Sequence, residues 1–359
     1  MKILRLYYKL PPVKGGMEKH IYFLTKFQNV SDEVTVFFNQ GDAISFNDNK
    51  ILSWIKLYKI KPLFIGVFIF YIFIILKLLF NRKKFDVLHV HGDWSALVFI
   101  KIIKKLTRAK VVVYTSHGII TNNFQHRKLL PMTLKNVDLI FTTGHESAEV
   151  LQRLINKKVI VQPSGINSVF FEPSSSESSV NIKFQVITVA NLVPIKNLSL
   201  VVEIAKEMPD IGFIIVGEGP ENETLLNNIK INGLKNIQLV GYKTPEEIKK
   251  IYNASNCFLL TSIAEGTPTS ILEAMASGLP IVSSNAGGID NIIVDKVNGF
   301  IINNFEKDNY RRSIKLLKED VNLRKIIYKN NKEIAENFKW DKVAARITSL
   351  TKKCLDGKD

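Results

Sequence analysis

Short apolar runs alternate with amphipathic stretches along most of the chain. In the first half, Lys2–Tyr8, Val34–Asn39, Asp86–His91, Lys110–Ser116 and Val137–Thr143 are strand-length and rich in Val, Ile, Leu and Phe. Their length and composition predict buried strands. Helical spacing fills Glu18–Gln28 and Ser95–Lys105. A second series follows at Phe184–Ala190, Gly212–Val216, Ile237–Val240, Cys257–Thr261 and Ile281–Ser284. Strands alternating with helices predict parallel sheets covered on both faces. Between the two series, residues 172–181 (EPSSSESSVN) are polar, serine-rich and aperiodic, the signature of a linker. The expected architecture is α/β, with one Rossmann-like domain over 1–163 and another over 164–339. A closing amphipathic helix within 340–359 is expected to pack back on the first domain. Two such domains offer a central cleft at the carboxyl ends of their strands, where these folds bind ligands.

One run breaks the alternation. Residues 62–80, PLFIGVFIFYIFIILKLLF, nearly reach the ~20 apolar residues of a membrane span. A span would put the first strand on the opposite side of the membrane from the strands that follow it. A core helix, or a helix half-sunk among lipid headgroups, is therefore expected instead. Eight basic and no acidic residues lie from Lys50 to Lys84, and Lys59, Lys61, Arg82, Lys83 and Lys84 are candidates to meet anionic lipid.

Charge and cysteine content narrow the partners. The net charge of +16 favours polyanions and phosphorylated molecules. No zinc-finger spacing, basic-aromatic motif or basic heptad points to nucleic acid, which is not an expected partner. Cys257 and Cys354 make no disulfide framework. The opening MKILRLYYKL is interrupted by Lys2, Arg5 and Lys9 and does not read as a signal sequence. A cytoplasmic protein, peripheral on the inner membrane face, is the expectation.

The richest chemistry lies in Glu265–Pro280, EGTPTSILEAMASGLP. A strand ends, Gly266, Thr267, Pro268 and Thr269 turn the chain, and a helix follows that Gly278 and Pro280 stop. Ser270 and Glu273 have capping-box spacing, which alone would account for Glu273. Glu265 precedes the helix, where a cap gives it no role. The helix N-terminus offers unpaired N–H groups to a diphosphate, and carboxylates accept hydrogen bonds from sugar hydroxyls.

This string resembles the E-x7-E signature of glycosyltransferase family 4, a retaining family with the GT-B fold. Companion motifs occur in the expected order. They are Pro11-Pro12 with Gly15-Gly16-Met17-Glu18, Asp86 to Gly92, Ser116-His117-Gly118, Gly165-Ile166-Asn167 with Phe171 and Pro173, Val216 to Pro220, and Gly287-Gly288. The resemblance implies that Glu273 binds the donor ribose, Glu265 the donor sugar and Gly15 and Gly16 the phosphate region. It implies further that Gly217, Gly219 and Gly266–Thr269 line the donor, that His117 sits against the sugar, and that Lys196 neutralises the leaving diphosphate. One position departs: Ala190-Asn191 stands where the family has Gly-Arg, and Asn191 cannot supply the arginine's charge. A lost contact of that kind is worth roughly 3 kcal/mol of barrier.

The implied function is transfer of a sugar, with retention, from a nucleoside-diphosphate sugar to a saccharide acceptor. A lipid-linked acceptor, in cell-envelope polysaccharide assembly, suits the basic apolar segment. No resident cofactor or metal is expected. His89 and His91 share a strand face, but His20, His126 and His145 form no evident ligand set with them, and Asp-x-Asp is absent. Val216-Gly217-Glu218-Gly219-Pro220 lacks the third glycine of a dinucleotide fingerprint, and neither a P-loop nor a Gly-x-Ser-x-Gly elbow is present. Thr244-Pro245-Glu246-Glu247 reads as a helix cap. A nucleotide-sugar epimerase, and a non-catalytic partner protein binding nucleotide-sugar or lipid, stay open.

Overall fold

The computed structural model describes residues 1–9, 16–39, 45–46, 49–50, 52–53, 63–80, 83–92, 94–117, 128–173 and 183–357. The chain divides into two compact units, Met1–Gly165 with Trp340–Asp359, and Ile166–Lys339. Gly15, Lys59, Lys61, Arg82 and most of the serine-rich segment lie outside the described residues.

The first unit runs β1 (Lys2–Leu6), α1 (Gly16–Gln28), β2 (Glu33–Phe38), β3 (Ser45–Phe46), β4 (Asn49–Lys50), β5 (Leu52–Ser53), α2 (Leu63–Phe80), β6 (Val87–His91), α3 (Ile100–Thr107), β7 (Val111–Ser116), α4 (Leu130–Leu134), β8 (Leu139–Thr142), α5 (His145–Leu154) and β9 (Val159–Val161). Its seven-stranded sheet has the order β5-β2-β1-β6-β7-β8-β9, parallel throughout. The second unit runs β10 (Gln185–Val189), α6 (Leu198–Lys206), β11 (Gly212–Val216), α7 (Asn222–Ile231), β12 (Ile237–Leu239), α8 (Pro245–Asn253), β13 (Cys257–Leu260), α9 (Thr269–Ala276), β14 (Ile281–Ser284), β15 (Gly299–Ile302), α10 (Lys307–Glu319) and α11 (Val321–Ala335). Its six strands are also parallel, in the order β12-β11-β10-β13-β14-β15. The last helix, α12 (Trp340–Asp356), belongs to the first unit.

The ten predicted strands are present to within two residues. Those missed are short or at an edge: β5, β9, β15 and the β3–β4 pair. The helix expected over Ser95–Lys105 is instead a 3₁₀ turn at Trp94–Leu97 followed by α3. A capping box does exist, at Thr244 and Glu247, where the Thr244 hydroxyl accepts from the Glu247 amide and the Glu247 carboxylate accepts from the Thr244 amide.

Helix α2 settles the apolar run. It buries Phe70, Tyr71, Ile74 and Leu78 in the same core as Leu4, Leu6, Leu88 and Val90 of the sheet, with Phe70 edge-on to Tyr8. Its outer stripe, Ile65, Ile72, Phe73, Leu76, Leu79 and Phe80, is exposed. Among the described residues no helix is long and apolar enough to cross a membrane.

Helices α1 and α12 cover the other sheet face. Trp340 stacks on Phe23, with ring centroids 5.6 Å apart, and Gln28 Nε2 donates to Thr348 Oγ1 at 2.9 Å. Gly165 lies so close to Trp340 that an added Cβ would come within 2.4 Å of the indole. Gly165→Ala is expected to cost about 1–3 kcal/mol through overpacking, and Trp340→Ala about 3–5 kcal/mol through the cavity it leaves. Urea unfolding followed by circular dichroism measures both. Losses below about 0.5 kcal/mol would mean that α12 contributes little to the first unit.

Candidate functional site

Parallel sheets bring all their strand carboxyl ends to one edge, and the order of each sheet reverses at one place. In the second unit β11 lies on one side of β10 and β13 on the other. Open α/β sheets bind ligands at such a reversal, outside the carboxyl ends of the strands.

Lys196 and Glu265 leave these two strands and meet. Lys196 closes a 3₁₀ turn, Pro194–Lys196, after β10, and its Nζ donates to Glu265 Oε1 at 2.5 Å. The same carboxylate oxygen accepts from Ser262 Oγ at 2.6 Å. Glu265 is buried, and a cation and a hydroxyl meet its Oε1. The loops are tied together behind the pair. Thr261 Oγ1 donates to the carbonyls of Lys196 and Asn197, both at 3.0 Å, and the Ile263 amide donates to the Ile195 carbonyl at 2.8 Å. Ser284 Oγ donates to the Ser262 carbonyl at 2.6 Å. Sequence reasoning missed Thr261, Ser262 and Ser284, because hydroxyls at strand ends carry no spacing signal.

Glycines shape the same edge. Gly217 has φ +144°, and a Cβ there would lie 1.8 Å from the Ala190 carbonyl oxygen. At Gly219 it would lie 2.3 Å from the Leu192 carbonyl oxygen. Both positions let the loop after β11 press against Ala190–Leu192, where the Leu192 amide donates to the Glu218 carbonyl at 2.9 Å. Asn191 is exposed at this place.

Gly266, Thr267 and Pro268 lead directly into α9 at Thr269. Here the sequence-based expectation is corrected. Pro268 is the N-cap, no side chain caps the helix, and Ser270 is already its second residue. Ser270 and Glu273 therefore form no capping box. Pro268 enters with extended backbone at φ −69° and ψ 107°, which starts the helix two residues before Ser270 could act as its cap. Glu273 is half-buried in the first turns of α9, and its charge raises the pKa of the buried Tyr252 phenol further, after burial itself.

In the first unit the corresponding reversal lies between β1 and β6. Three histidines converge there: His20 on α1, His91 at the end of β6 and His117 just beyond β7. One ligating nitrogen from each lies within 4.8 Å of the others. The expectation that His20 joins no set with the strand pair does not hold, because α1 brings it back over the strand ends from 71 residues upstream of His91. His145 opens α5 and is not in the cluster, and His126 lies outside the described residues. Gly16 is the first residue of α1 and is exposed.

His91 Nδ1 lies 3.0 Å from His117 Nε2, and His20 Nδ1 lies 2.8 Å from Ser164 Oγ. Burial lowers all three imidazoles, His117 to about 3, so they are neutral at physiological pH. Beneath them Arg5 is fully buried. It donates to Thr25 Oγ1 at 2.5 Å and to Gln28, and lies 3.4 Å from His89 Nδ1. Burial lowers its guanidinium to about 9, and its charge helps to keep His89 neutral.

Of the basic residues expected at the membrane, Lys83 pairs with Glu33 at 2.8 Å and Lys84 is exposed. The run without acidic residues in sequence thus meets an acid from β2 in space.

Known proteins resemble this chain along nearly its whole length. The model for glycosyltransferase family 4 matches residues 14–169, and that for glycosyl transferases group 1 matches residues 171–334. The UDP-Gal:alpha-D-GlcNAc-diphosphoundecaprenol alpha-1,3-galactosyltransferase of Escherichia coli is 27% identical over 76% of each chain. A phosphatidylinositol N-acetylglucosaminyltransferase polypeptide of Arabidopsis thaliana is 24% identical over 79% of this chain and 67% of its own length. The crystal structure of Anabaena HepE with UDP-glucose superposes with a TM-score of 0.78 at 20% identity, covering 98% of this chain and 100% of that one. With both halves matched and the fold shared, the chain belongs to glycosyltransferase family 4 and has the GT-B fold.

Proposed function

We propose that the protein transfers a sugar from a uridine-diphosphate sugar to a lipid-linked saccharide, with retention at the anomeric carbon. The observation that carries this reading is the Lys196–Glu265 pair at the β10/β13 reversal, beside the uncapped N-terminus of α9. Lys196 and the first amides of α9 supply positive charge for a leaving diphosphate, in place of a metal cation. Glu265, held in place by Ser262, accepts from the donor sugar's hydroxyls. Glu273, in the first turns of α9, binds the ribose. Gly217, Gly219 and Asn191 line the donor, as do Gly266, Thr267, Pro268 and Thr269.

No second carboxylate accompanies Glu265 in a double-displacement arrangement among the described residues. In this reading the departing phosphate oxygen takes the acceptor's proton on the face that the leaving group vacates, which gives retention. The uridine donor is supported by the Escherichia coli relative, whose name specifies UDP-Gal, and by HepE, crystallised with UDP-glucose. The lipid-linked acceptor is supported by the diphosphoundecaprenol acceptor of the Escherichia coli relative and by the phosphatidylinositol in the Arabidopsis relative's name. It is supported also by the exposed stripe of α2 with Val98 and Ile102 beside it and Lys101 and Lys105 on α3. Together these suit a peripheral enzyme of polysaccharide assembly on the inner membrane face.

Lys196→Ala is expected to lower kcat by about 10²–10³-fold, as loss of one donor to a developing anion does. Glu273→Ala is expected to weaken nucleoside-diphosphate binding about tenfold with the circular dichroism spectrum unchanged. Radiolabelled transfer to a diphosphoundecaprenol-linked saccharide and calorimetric titration with UDP measure the two. Full activity in Lys196→Ala would remove the basis of the reading.

Phe73→Glu combined with Leu76→Glu, both on the outer stripe, is expected to release the protein from vesicles containing phosphatidylglycerol without lowering its melting temperature. Flotation of wild type and variant gives the answer, and equal binding would remove α2 from the membrane surface.

A further inference from the structure

We propose that His20, His91 and His117 form a three-imidazole site for one divalent transition-metal ion, with Zn²⁺ the best match. The ligating nitrogens already lie within 4.8 Å of one another. A tetrahedral zinc with nitrogens at about 2.0–2.1 Å needs them roughly 3.3 Å apart. His91 Nδ1 and His117 Nε2, at 3.0 Å, already have that spacing, so a modest inward turn of His20 completes the set.

Two features set this cluster apart from a satisfied core contact. His20 is only 1% exposed, and its Nε2 atom is buried with no hydrogen-bond partner. A buried polar nitrogen left unpaired carries a desolvation penalty that a bound ion removes. The second feature is how His20 is held. Its Nδ1 meets Ser164 Oγ at 2.8 Å, and its ring stands edge-on to Trp340 and to His117. A ligating imidazole is usually oriented in this way, through its other nitrogen, which fixes the tautomer and aims the free one. With Ser164 accepting from Nδ1–H, the lone pair of His20 lies on Nε2.

The ligand chemistry selects the ion. Three neutral imidazoles suit Zn²⁺, and also Co²⁺ or Ni²⁺, and suit Mg²⁺ or Ca²⁺ poorly, because those ions take oxygen ligands. The nearby Arg5 cation and the absence of a carboxylate from the set leave the site a net positive charge once loaded. The fourth position is then suited to an anionic or hydroxyl oxygen, as in zinc sites that keep one position open. The ion would tie α1 to the ends of β6 and β7.

The test uses the full-length, tag-free chain, stripped with chelator and titrated with Co²⁺ and then Zn²⁺. The expected result is the visible absorption of four-coordinate Co²⁺, bleached by one equivalent of Zn²⁺, with one zinc per chain retained through gel filtration. His20→Asn and His91→Asn should each lower retained zinc at least tenfold, and His145→Asn should leave it unchanged. No cobalt spectrum and no retained zinc in the wild type would overturn the proposal. So would a spectrum and a zinc content that persist in His20→Asn and His91→Asn, since the ion would then lie elsewhere. A wild type without cobalt spectrum or retained zinc overturns the proposal even if a variant does not fold. Neither readout needs a donor or acceptor, so failure here leaves sugar transfer standing, and failure of sugar transfer leaves the metal site standing.

Discussion

All hydrogen-bonded strand pairs of the seven-stranded and six-stranded sheets run parallel, and this constraint decides where chemistry can stand. A parallel pair needs a crossover between its strands, so each strand delivers its carboxyl end to the same edge. Where the order reverses, neighbouring loops part and leave space for a ligand. Lys196 and Glu265 reach each other across 69 residues because β10 and β13 are neighbours at that reversal. His20, His91 and His117 converge in the first unit for the same reason. Apart from buried polar groups such as Arg5 and His89, the strands bury mainly Val, Ile, Leu and Phe, with aromatic, Met and Ala side chains of the covering helices. Stability rests on apolar burial, which leaves the loop ends available for charge.

The buried carboxylate of Glu265 is held in place by its neighbours. Its charge is matched by Lys196 and Ser262, and the loops carrying all three are fixed by Thr261 and Ser284. Asn191 is the point of tension. It is exposed beside Lys196's loop and offers no positive charge where the family has arginine. Lys196 is the side-chain cation that meets Glu265, and in the proposed reading it carries the diphosphate charge that an arginine would share.

Much of the fold could be read from the chain because buried parallel strands are nearly continuous apolar runs. Gly212–Val216 and Ile281–Ser284 were legible to the residue. What escaped was short or at an edge. β9 is three half-buried residues, and β5 has two. Gly299–Ile302 hides behind its opening glycine. The Ser270–Glu273 spacing misled, because a capping box is a local pattern while Pro268 fixed the true start of α9. The same pattern at Thr244–Glu247 does form a box, with the proline after the cap instead of at it. The histidine cluster was invisible for a different reason. Its members come from a helix and two strand ends, and no spacing along the chain records that the fold brings them together. Ser262 and Ser164 escaped in the same way, since a hydroxyl takes on its role only when its partner is in place.

In the proposed function, the β10/β13 reversal binds a nucleoside-diphosphate sugar. The direct measurement is thermal stabilisation of the intact protein by UDP, GDP, ADP, CMP and dTDP, alone and as sugar conjugates. A ligand at a hundred times its dissociation constant adds about 2.7 kcal/mol, enough to shift the melting temperature visibly. A clear shift is expected with UDP and UDP-sugars, a smaller one or none with the other bases, and loss of the shift in Lys196→Ala. No shift from any nucleotide would contradict it.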